Sequence, residues 1–270
     1  MAENAYTFSA PVAFETIKAH WKAWAEETGA SRWVVGISGG KDSTIVAGLA
    51  ARIFGPENVW GVLLPNGTQA DISDARRVAS YIRLHRVEIN IAKACRALSD
   101  AVNREMWAGI TPRANINMPP RLRMAALYAV AQSIDGFVLN TSNLSEDMVG
   151  YATLWGDTTG SYAPVQHLTV TEVKALGDYL RLPHDLVHKA PADGLADGTD
   201  EDRLGLKYAE LDRLIREGDG SDSLCAKVRA LYRRNAFKLD MITLPGPCFA
   251  DLPNFVPALC ENTETTTPNT

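Results

Sequence analysis

The glycine-rich segment GISGGKDST, residues 36–44, is the feature that most constrains how this chain can fold. The mostly apolar residues 32–35 before it predict a buried strand. Residues 45–54 after it have the length and apolar periodicity of a helix, which Gly55-Pro56 would end. A glycine-rich turn between a strand and a helix gathers backbone N–H groups and the positive end of the helix dipole around one small volume. Because such a volume binds anions, most often phosphate, the segment predicts a phosphate-binding loop.

The spacing within this segment identifies the kind of phosphate loop. A Walker A loop requires G-x-x-x-x-G-K-[ST], but counting from Gly36 places Lys41 at the second glycine and Asp42 at the lysine. The pattern S-G-G-x-D-S instead resembles the pyrophosphate loop of the ATP pyrophosphatases, which split ATP between its α and β phosphates and adenylate an oxygen of the substrate. The alternative is a glycine-rich turn that only joins a strand to a helix, and the regular patterns on either side disfavour it.

Apolar strands alternate with amphipathic helices along most of the chain. This alternation predicts an α/β fold with a doubly wound parallel sheet flanked by helices, in which ligands bind beyond the carboxyl ends of the strands. No repeat or linker divides residues 1–270, so we expect one domain, with an extended or disordered tail over about 245–270. The other predicted elements are helices over residues 11–27, 71–85, 92–107, 119–133, 168–182, 208–217 and 224–234, and strands over 59–64, 87–91 and 137–140.

Composition argues against several classes of function. The formal net charge of −5 disfavours a protein that coats nucleic acid, and the chain has no apolar run of membrane-spanning length and no secretory segment at its start. Its four cysteines are scattered without a C-x-x-C pair, which predicts neither a zinc site nor a disulfide framework. A reducing compartment fits this usage best. We therefore expect a cytoplasmic protein without nucleic-acid or membrane partners.

An arginine pair follows two prolines at the start of the predicted helix over residues 119–133. Pro119-Pro120 suits the start of a helix, which would put Arg121 and Arg123 in its first turns. Cations there oppose the helix dipole, so their presence suggests an anionic partner. An exposed arginine pair without a ligand is the alternative.

The predicted strand 137–140 leads into polar residues at its carboxyl end. Thr141 can donate a hydrogen bond there, and Glu146 and Asp147 can hold a metal. Capping of the next helix by Ser145 is a competing interpretation, and both can be true. The long glycine-rich segments 150–164 and 190–201 follow, and loops of this length are usually functional or mobile.

Three further segments, together with SGGKDST, resemble the ammonia-dependent NAD synthetases over roughly residues 11–239. They are RLRMAALYAVAQ, NTSNLSED and KAPADGLADGTDEDRLGLKYAELD. The resemblance implies a Rossmann-like fold of the adenine nucleotide alpha hydrolase type and the amidation of deamido-NAD (nicotinate adenine dinucleotide). In that reaction the nicotinate carboxylate attacks the α-phosphate of ATP, giving an acyl adenylate and pyrophosphate. Ammonia then attacks the activated carbonyl, which releases AMP and NAD.

The resemblance also implies roles for individual residues. Asp42 and Glu146 would hold Mg²⁺, with ATP as co-substrate, and Arg121 and Lys238 would contact the acid substrate. The residues expected to act in catalysis are Asp42, Ser38, Ser43 and Lys189. The residues expected to bind ATP are Gly36, Ile37, Ser38, Gly39, Gly40, Lys41, Asp42, Ser43, Thr44, Thr141 and Lys189.

A homodimer is implied as well. The amphipathic helix 11–27 offers Phe14, Trp21 and Trp24 as a candidate interface, although three aromatic residues on one side of a helix usually belong to the core.

The chain departs from the family pattern at three positions. Leu154 stands where a basic residue is expected, Ser161 where an aspartate is expected, and Lys207 where a small hydroxyl residue is expected near ATP. The first two positions belong to the acid site in the family, so a related acid such as nicotinate mononucleotide stays open. Another N-type ATP pyrophosphatase is a further alternative. A non-catalytic nucleotide-binding homologue is disfavoured because Asp42 and Glu146 are both present.

Overall fold

Four parallel strands form the centre of this computed structural model, which describes residues 6–69, 72–189 and 199–240. The strands are β1 (Trp33–Gly36), β2 (Val59–Leu63), β3 (His85–Glu88) and β4 (Phe137–Val138). They lie in the order β3-β2-β1-β4. The chain thus winds outward from β1 to β3 and then returns to place β4 on the other side of β1. This reversal confirms the doubly wound parallel sheet, and it creates a crevice at the carboxyl ends of β1 and β4.

Helices cover both faces of the sheet and extend beyond it. None of those in the described residues is long and apolar enough to cross a membrane. The predicted tail, together with Cys248 and Cys260, lies outside the described residues. The helices are α1 (Ala10–Thr28), α2 (Lys41–Phe54), α3 (Ile72–Ile82), α4 (Ala92–Glu105), α5 (Pro112–Ser133), α6 (Leu144–Val149), α7 (Val170–Tyr179), α8 (His184–Val187), α9 (Asp200–Leu204), α10 (Tyr208–Glu217), α11 (Asp222–Asn235) and α12 (Phe237–Asp240).

Helix α5 begins earlier than the sequence pattern predicts. Thr111 caps it by accepting a hydrogen bond from the backbone of Ala114, and Pro112 occupies the position at which proline is best tolerated. Pro119 and Pro120 therefore lie inside the helix, where each lacks the N–H for one backbone hydrogen bond. The prediction that the prolines start the helix is wrong, and with it the argument that the helix dipole opposes the arginine pair that follows.

The start of β3 also differs from the prediction. Helix α3 ends at Ile82, and Arg83 turns the chain in the left-handed region with φ 64°. His85 consequently lies in the strand rather than in the helix before it. The residues of β3 are mostly exposed, so the strand lacks the apolar run that would have marked its start.

Helix α1 packs its aromatic face into the core of this chain. Phe14 and Trp21 are buried, and Trp24 is partly buried against the same core. The ring of Trp21 stacks on Tyr162 with centroids 4.9 Å apart and meets Trp33 of β1 edge-on at 5.1 Å. The proposal that these aromatics form a dimer interface is therefore wrong, because they already close the fold around β1.

A second core joins the helices that follow the sheet. Helices α6, α10 and α11 pack through apolar residues that include Leu211 and Leu214. A buried ion pair ties α10 to α7, with the Arg216 guanidinium donating to both carboxylate oxygens of Glu172 at 2.6 and 2.7 Å. Glu172 also completes a capping box with Thr169 at the start of α7. These contacts fix α6, which carries part of the candidate site.

Candidate functional site

The predicted phosphate loop connects β1 to α2 as expected. Ile37, the first residue after β1, stays bonded to the sheet, since its backbone N–H donates to the Val62 carbonyl at 2.9 Å. The hydroxyl groups of Ser38 and Ser43 lie 3.1 Å apart, and the Ser38 hydroxyl accepts from the backbone of Gly40 at 3.1 Å. Thr44 donates from its hydroxyl to the Gly40 carbonyl at 2.8 Å. The hydroxyl residues thus shape the turn and leave the N-terminal N–H groups of α2 directed at the loop volume.

Gly39 is required in this turn for two reasons. Its φ of +83° lies in the left-handed region, and a Cβ there would approach the backbone nitrogen of Ala75 and the Cβ of Asp74 to 2.9 Å. The start of α3 therefore packs directly on the loop. The Lys189 ammonium contacts the Asp74 carboxylate at 2.7 Å, which places this predicted ATP-contacting lysine beside the loop.

Lys41 lies between the two predicted metal ligands. Its ammonium is 2.8 Å from a carboxylate oxygen of Asp42 and 3.6 Å from one of Glu146, and only 3% of its side chain is exposed. Asn143 organises this cluster, because its side chain accepts from the backbone of Glu146 at 3.1 Å and donates to the second Asp42 oxygen at 3.1 Å. The structure thereby brings α2 and α6 together at the carboxyl edge of the sheet.

Asn143 is also the cap of α6, which corrects the suggestion that Ser145 caps this helix. Ser145 faces away from the cluster. Its hydroxyl donates to Asp212 at 2.5 Å and accepts from the backbone of Val170 at 3.0 Å. The cap lies two residues earlier because Asn143 has the extended backbone conformation that an N-cap requires.

The charges of this cluster perturb one another. Burial raises the pKa of Glu146 to about 8, and the negative charge of Asp42 acts in the same direction. Burial alone would lower the pKa of Lys41, but the carboxylates of Asp42 and Glu146 outweigh it and raise that pKa above its usual value. Lys41 is therefore a charged ammonium that stands between the carboxyl groups of Asp42 and Glu146.

This arrangement fits a divalent cation. Mg²⁺ prefers oxygen ligands and is commonly held by one or two carboxylates together with water and substrate phosphates. Asp42 and Glu146 supply such oxygens, and they already converge on a positive charge, the ammonium of Lys41. The donor set thus suits Mg²⁺ beside a phosphate loop.

Two further residues belong to the cluster around Lys41, Asp42 and Glu146, and no sequence pattern marks either of them. Asp200 is buried at the start of α9 and accepts from the Tyr151 hydroxyl at 3.1 Å. Tyr208 is buried with its ring 5.8 Å from the Lys41 ammonium, and its hydroxyl has no hydrogen-bond partner among the described residues. Asp200 belongs to an acidic run, but only the tertiary fold shows which member of the run turns inward.

A cavity of about 120 Å³ opens at the crevice between β1 and β4. Thr141 reaches this cavity from the end of β4, and Gly36 reaches it from the end of β1, so the two predicted ATP contacts share one volume. Arg123 of α5 also lines it, with its side chain donating to the Leu64 carbonyl at 3.0 Å. Gly156, Asp157 and Thr159 line the cavity as well.

The residues predicted to meet the acid substrate hold the loop after α6. Arg121 donates to the Leu154 carbonyl at 3.1 Å, and Lys238 donates to the Gly150 and Ala152 carbonyls at 2.7 and 2.8 Å. Both side chains therefore bond the same stretch of backbone, residues 150–154.

The remaining departures from the family pattern are Ser161 and Lys207. Ser161 continues beside β4, where its backbone N–H donates to Val138 at 2.7 Å, and the neighbouring Tyr162 is buried. The segment expected to move is therefore anchored at this end. Lys207 is exposed and precedes α10 without capping it through its side chain. Most of the second predicted mobile loop, residues 190–198, lies outside the described residues.

Known proteins resemble this chain over most of its length. A family model described as NAD synthase matches residues 13–241. The NH(3)-dependent NAD(+) synthetase of Carboxydothermus hydrogenoformans is 35% identical over 221 residues, which cover 81% of this chain and 90% of the relative. The enzyme of the same name from Pyrococcus horikoshii is 36% identical, with 84% and 91% covered.

Solved structures show the same likeness. The NMN synthetase from Francisella tularensis has a TM-score of 0.80 at 28% identity, covering 88% of this chain and 99% of that one. The NH3-dependent NAD synthetase from Campylobacter jejuni has a TM-score of 0.69 at 27% identity, with 88% and 99% covered.

Proposed function

Because the chain belongs to the NAD synthase family, we propose that it amidates deamido-NAD with ammonia at the expense of ATP. The observation that carries this proposal is the convergence of Asp42, at the start of the helix that follows the phosphate-loop turn, and Glu146 of α6 on the ammonium of Lys41. The products would be NAD, AMP and pyrophosphate, and the enzyme would be a ligase that forms a C–N bond.

The first step moves negative charge onto pyrophosphate, and the phosphate loop can stabilise that charge. A carboxylate does not accept ammonia directly, because its oxygen is a poor leaving group, so the acid is adenylated first. As the nicotinate oxygen bonds to the α-phosphorus of ATP, the bond to the β-phosphate oxygen breaks and negative charge moves onto pyrophosphate. The N–H groups and dipole at the start of α2 face that charge, and preorganised donors of this kind stabilise it without reorganisation.

Charged side chains complete this stabilisation. Asp42 and Glu146 would hold Mg²⁺, which supplies Lewis-acid stabilisation of phosphate oxygens when bound. Lys41 and Lys189 bring positive charge to the loop. The Lys41 ammonium contacts the Asp42 carboxylate, and the Lys189 ammonium contacts the Asp74 carboxylate. In the second step ammonia adds to the acyl carbonyl and AMP leaves, a reaction that requires positioning and no covalent bond to the enzyme.

Mass spectrometry of the products from ATP, Mg²⁺, ammonium and deamido-NAD tests this function. The wild type should form NAD, AMP and pyrophosphate in equal amounts. Asp42→Asn and Glu146→Gln should each lower turnover by about a hundredfold or more, because each removes a charged metal ligand while keeping the side chain's shape. Glu88→Gln, on the exposed strand β3, is the matched control and should retain full activity. Near-normal turnover in Asp42→Asn or Glu146→Gln would remove that residue from the metal site.

Nicotinate mononucleotide is the second candidate acid. The likeness to a solved NMN synthetase, and the departures Leu154 and Ser161 within the expected acid site, support it. The curated relatives favour the dinucleotide. Measuring kcat/KM for both acids in the same pyrophosphate-release assay separates the two candidates, since the true substrate should exceed the other by tenfold or more, about 1.4 kcal/mol of transition-state binding.

A homodimer in the cytoplasm completes the proposal. Because Phe14 and Trp21 are buried in the chain's own core, a different surface would have to form the dimer interface. The exposed Met106, Trp107 and Ile116, near the turn between α4 and α5, offer apolar area for it. Sedimentation at micromolar concentration should show a dimer that Trp107→Glu weakens.

The cysteines among the described residues, Cys95 and Cys225, are free, which fits a reducing compartment.

A further inference from the structure

Three side chains with metal-binding chemistry meet on the surface between α7 and α8. They are Asp178, His184 and His188, each offering one ligand atom, and these atoms all lie within 4.8 Å of one another. One ring nitrogen of His188 is 3.0 Å from both carboxylate oxygens of Asp178. The rings of His184 and His188 stack with their centroids 4.2 Å apart.

The local fold explains why these residues converge. Asp178 lies in the last turn of α7, and the chain then reverses through Arg181, whose φ of 57° is left-handed. Helix α8 starts after Pro183, so His184 and His188, four residues apart, lie on the same side one turn from each other. The reversal brings that side against the end of α7.

We propose that Asp178, His184 and His188 form a binding site for a divalent transition-metal ion, with Zn²⁺ as the best match. Two imidazole nitrogens and one carboxylate oxygen suit Zn²⁺, Ni²⁺ and Cu²⁺, whereas Mg²⁺ prefers oxygen ligands alone. Tetrahedral ligands at about 2.0–2.1 Å from zinc lie roughly 3.4 Å apart, so the three side chains need only small rotations to close on an ion. All three are exposed, so the ion can enter from solvent and water can complete its coordination.

The position of this site connects it to the phosphate loop. His188 immediately precedes Lys189, whose ammonium contacts Asp74 at 2.7 Å, and Asp74 packs against Gly39. An ion bound to both α7 and α8 would hold the backbone that carries Lys189. Zinc should therefore slow hydrogen exchange over residues 184–189 as well as bind stoichiometrically.

Titration of the full chain, stripped of metal with EDTA, tests the site. Calorimetry with Zn²⁺ should find one equivalent bound at micromolar concentration, and Co²⁺ should develop visible absorption from the same site. His188→Ala and Asp178→Asn should each weaken binding by roughly tenfold or more, since each removes one of three ligands. Both residues are exposed, so circular dichroism should show that each variant folds as the wild type does.

Two controls distinguish this site from others on the chain. Glu146→Gln disables the candidate magnesium site and should leave zinc binding unchanged. His85→Gln removes an exposed histidine that bonds the Glu57 carbonyl and lies outside the cluster, and it should also leave zinc binding unchanged. Equal zinc affinity in the wild type and His188→Ala, loss of the bound equivalent in Glu146→Gln, or no zinc binding by the wild type would each overturn the proposal.

Discussion

Lys41→Met isolates the part that one buried charge plays in the candidate active site. Methionine keeps much of the length and apolar volume of the side chain but removes the ammonium that lies between Asp42 and Glu146. If Lys41 substitutes for the metal, its loss should destabilise the metal-free protein, and a divalent ion should restore the stability. The same variant should bind metal more tightly in the absence of nucleotide, because a competing cation is gone.

The contacts set the size of this effect. At an effective dielectric constant of about 20, the charges of Lys41 and Asp42, 2.8 Å apart, attract by roughly 6 kcal/mol before the cost of burying them is subtracted. Removing one partner of a buried pair costs about 3–5 kcal/mol in measured cases. Glu146 adds less to this cost, because its pKa of about 8 keeps most of it protonated at neutral pH. We therefore expect a loss of about 3 kcal/mol, or roughly 6–12 °C in Tm for a chain of this size.

Thermal unfolding in EDTA and in excess Mn²⁺ measures the stability, and electron paramagnetic resonance of free Mn²⁺ measures its affinity. Lys18→Met is the matched control. Lys18 forms an ion pair of nearly equal length with Glu15, at 2.9 Å, but both side chains are exposed, so stability and metal affinity should stay unchanged. A Lys41→Met protein that is destabilised equally with and without Mn²⁺, or that binds Mn²⁺ more weakly than the wild type, would refute the reasoning.

The remaining predictions concern a buried ion pair, a proton and a glycine. Glu172→Gln should cost about 3–5 kcal/mol in denaturant unfolding because it leaves the buried Arg216 without its charge partner, whereas Glu88→Gln at the surface should have little effect. Because the pKa of Glu146 is raised to about 8, the metal-free site holds a proton at neutral pH. Metal binding should release that proton, seen by calorimetry in buffers of different ionisation enthalpy, and affinity should rise with pH until about 8. Gly39→Ala should abolish ATP binding, measured by calorimetry, while Gly67→Ala, also at positive φ but in open space, should retain it.

The sequence alone predicts the phosphate loop, because residues that are neighbours along the chain form the whole of it. The strand before residue 36, the glycines that permit the turn and the helix after it are contiguous, so their pattern alone predicts the arrangement. The doubly wound parallel sheet follows in the same way, since alternating strands and helices with right-handed crossovers leave few topologies. Thr141 and Glu146 could be placed near the loop because carboxyl ends of parallel strands meet at one edge.

Other parts of the molecule depend on contacts that no local pattern contains. Pro119 and Pro120 have the form of a helix start, but Thr111 offers an earlier cap and the helix tolerates both prolines. The aromatic face of α1 suits a core more often than an interface, but only the packing of Trp21 on Tyr162, 141 residues further along the chain, decides between them. Tyr208 gives no sign in the sequence of lying against Lys41.

The position of Glu146 shows how the second core serves the candidate active site. Ser145 and Glu146 are consecutive in α6, and successive helical residues point about 100° apart, so one can face the core while the other faces the loop. Ser145 bonds Asp212, whose other oxygen accepts from the backbone and the hydroxyl of Thr171 at 2.7 and 2.6 Å. Burial raises the pKa of Asp212 while these hydrogen bonds lower it, so the network stabilises the charge that it encloses. Helix α6 is thus fixed in rotation by bonds from α7 and α10, and that rotation directs Glu146 at Lys41 rather than at solvent.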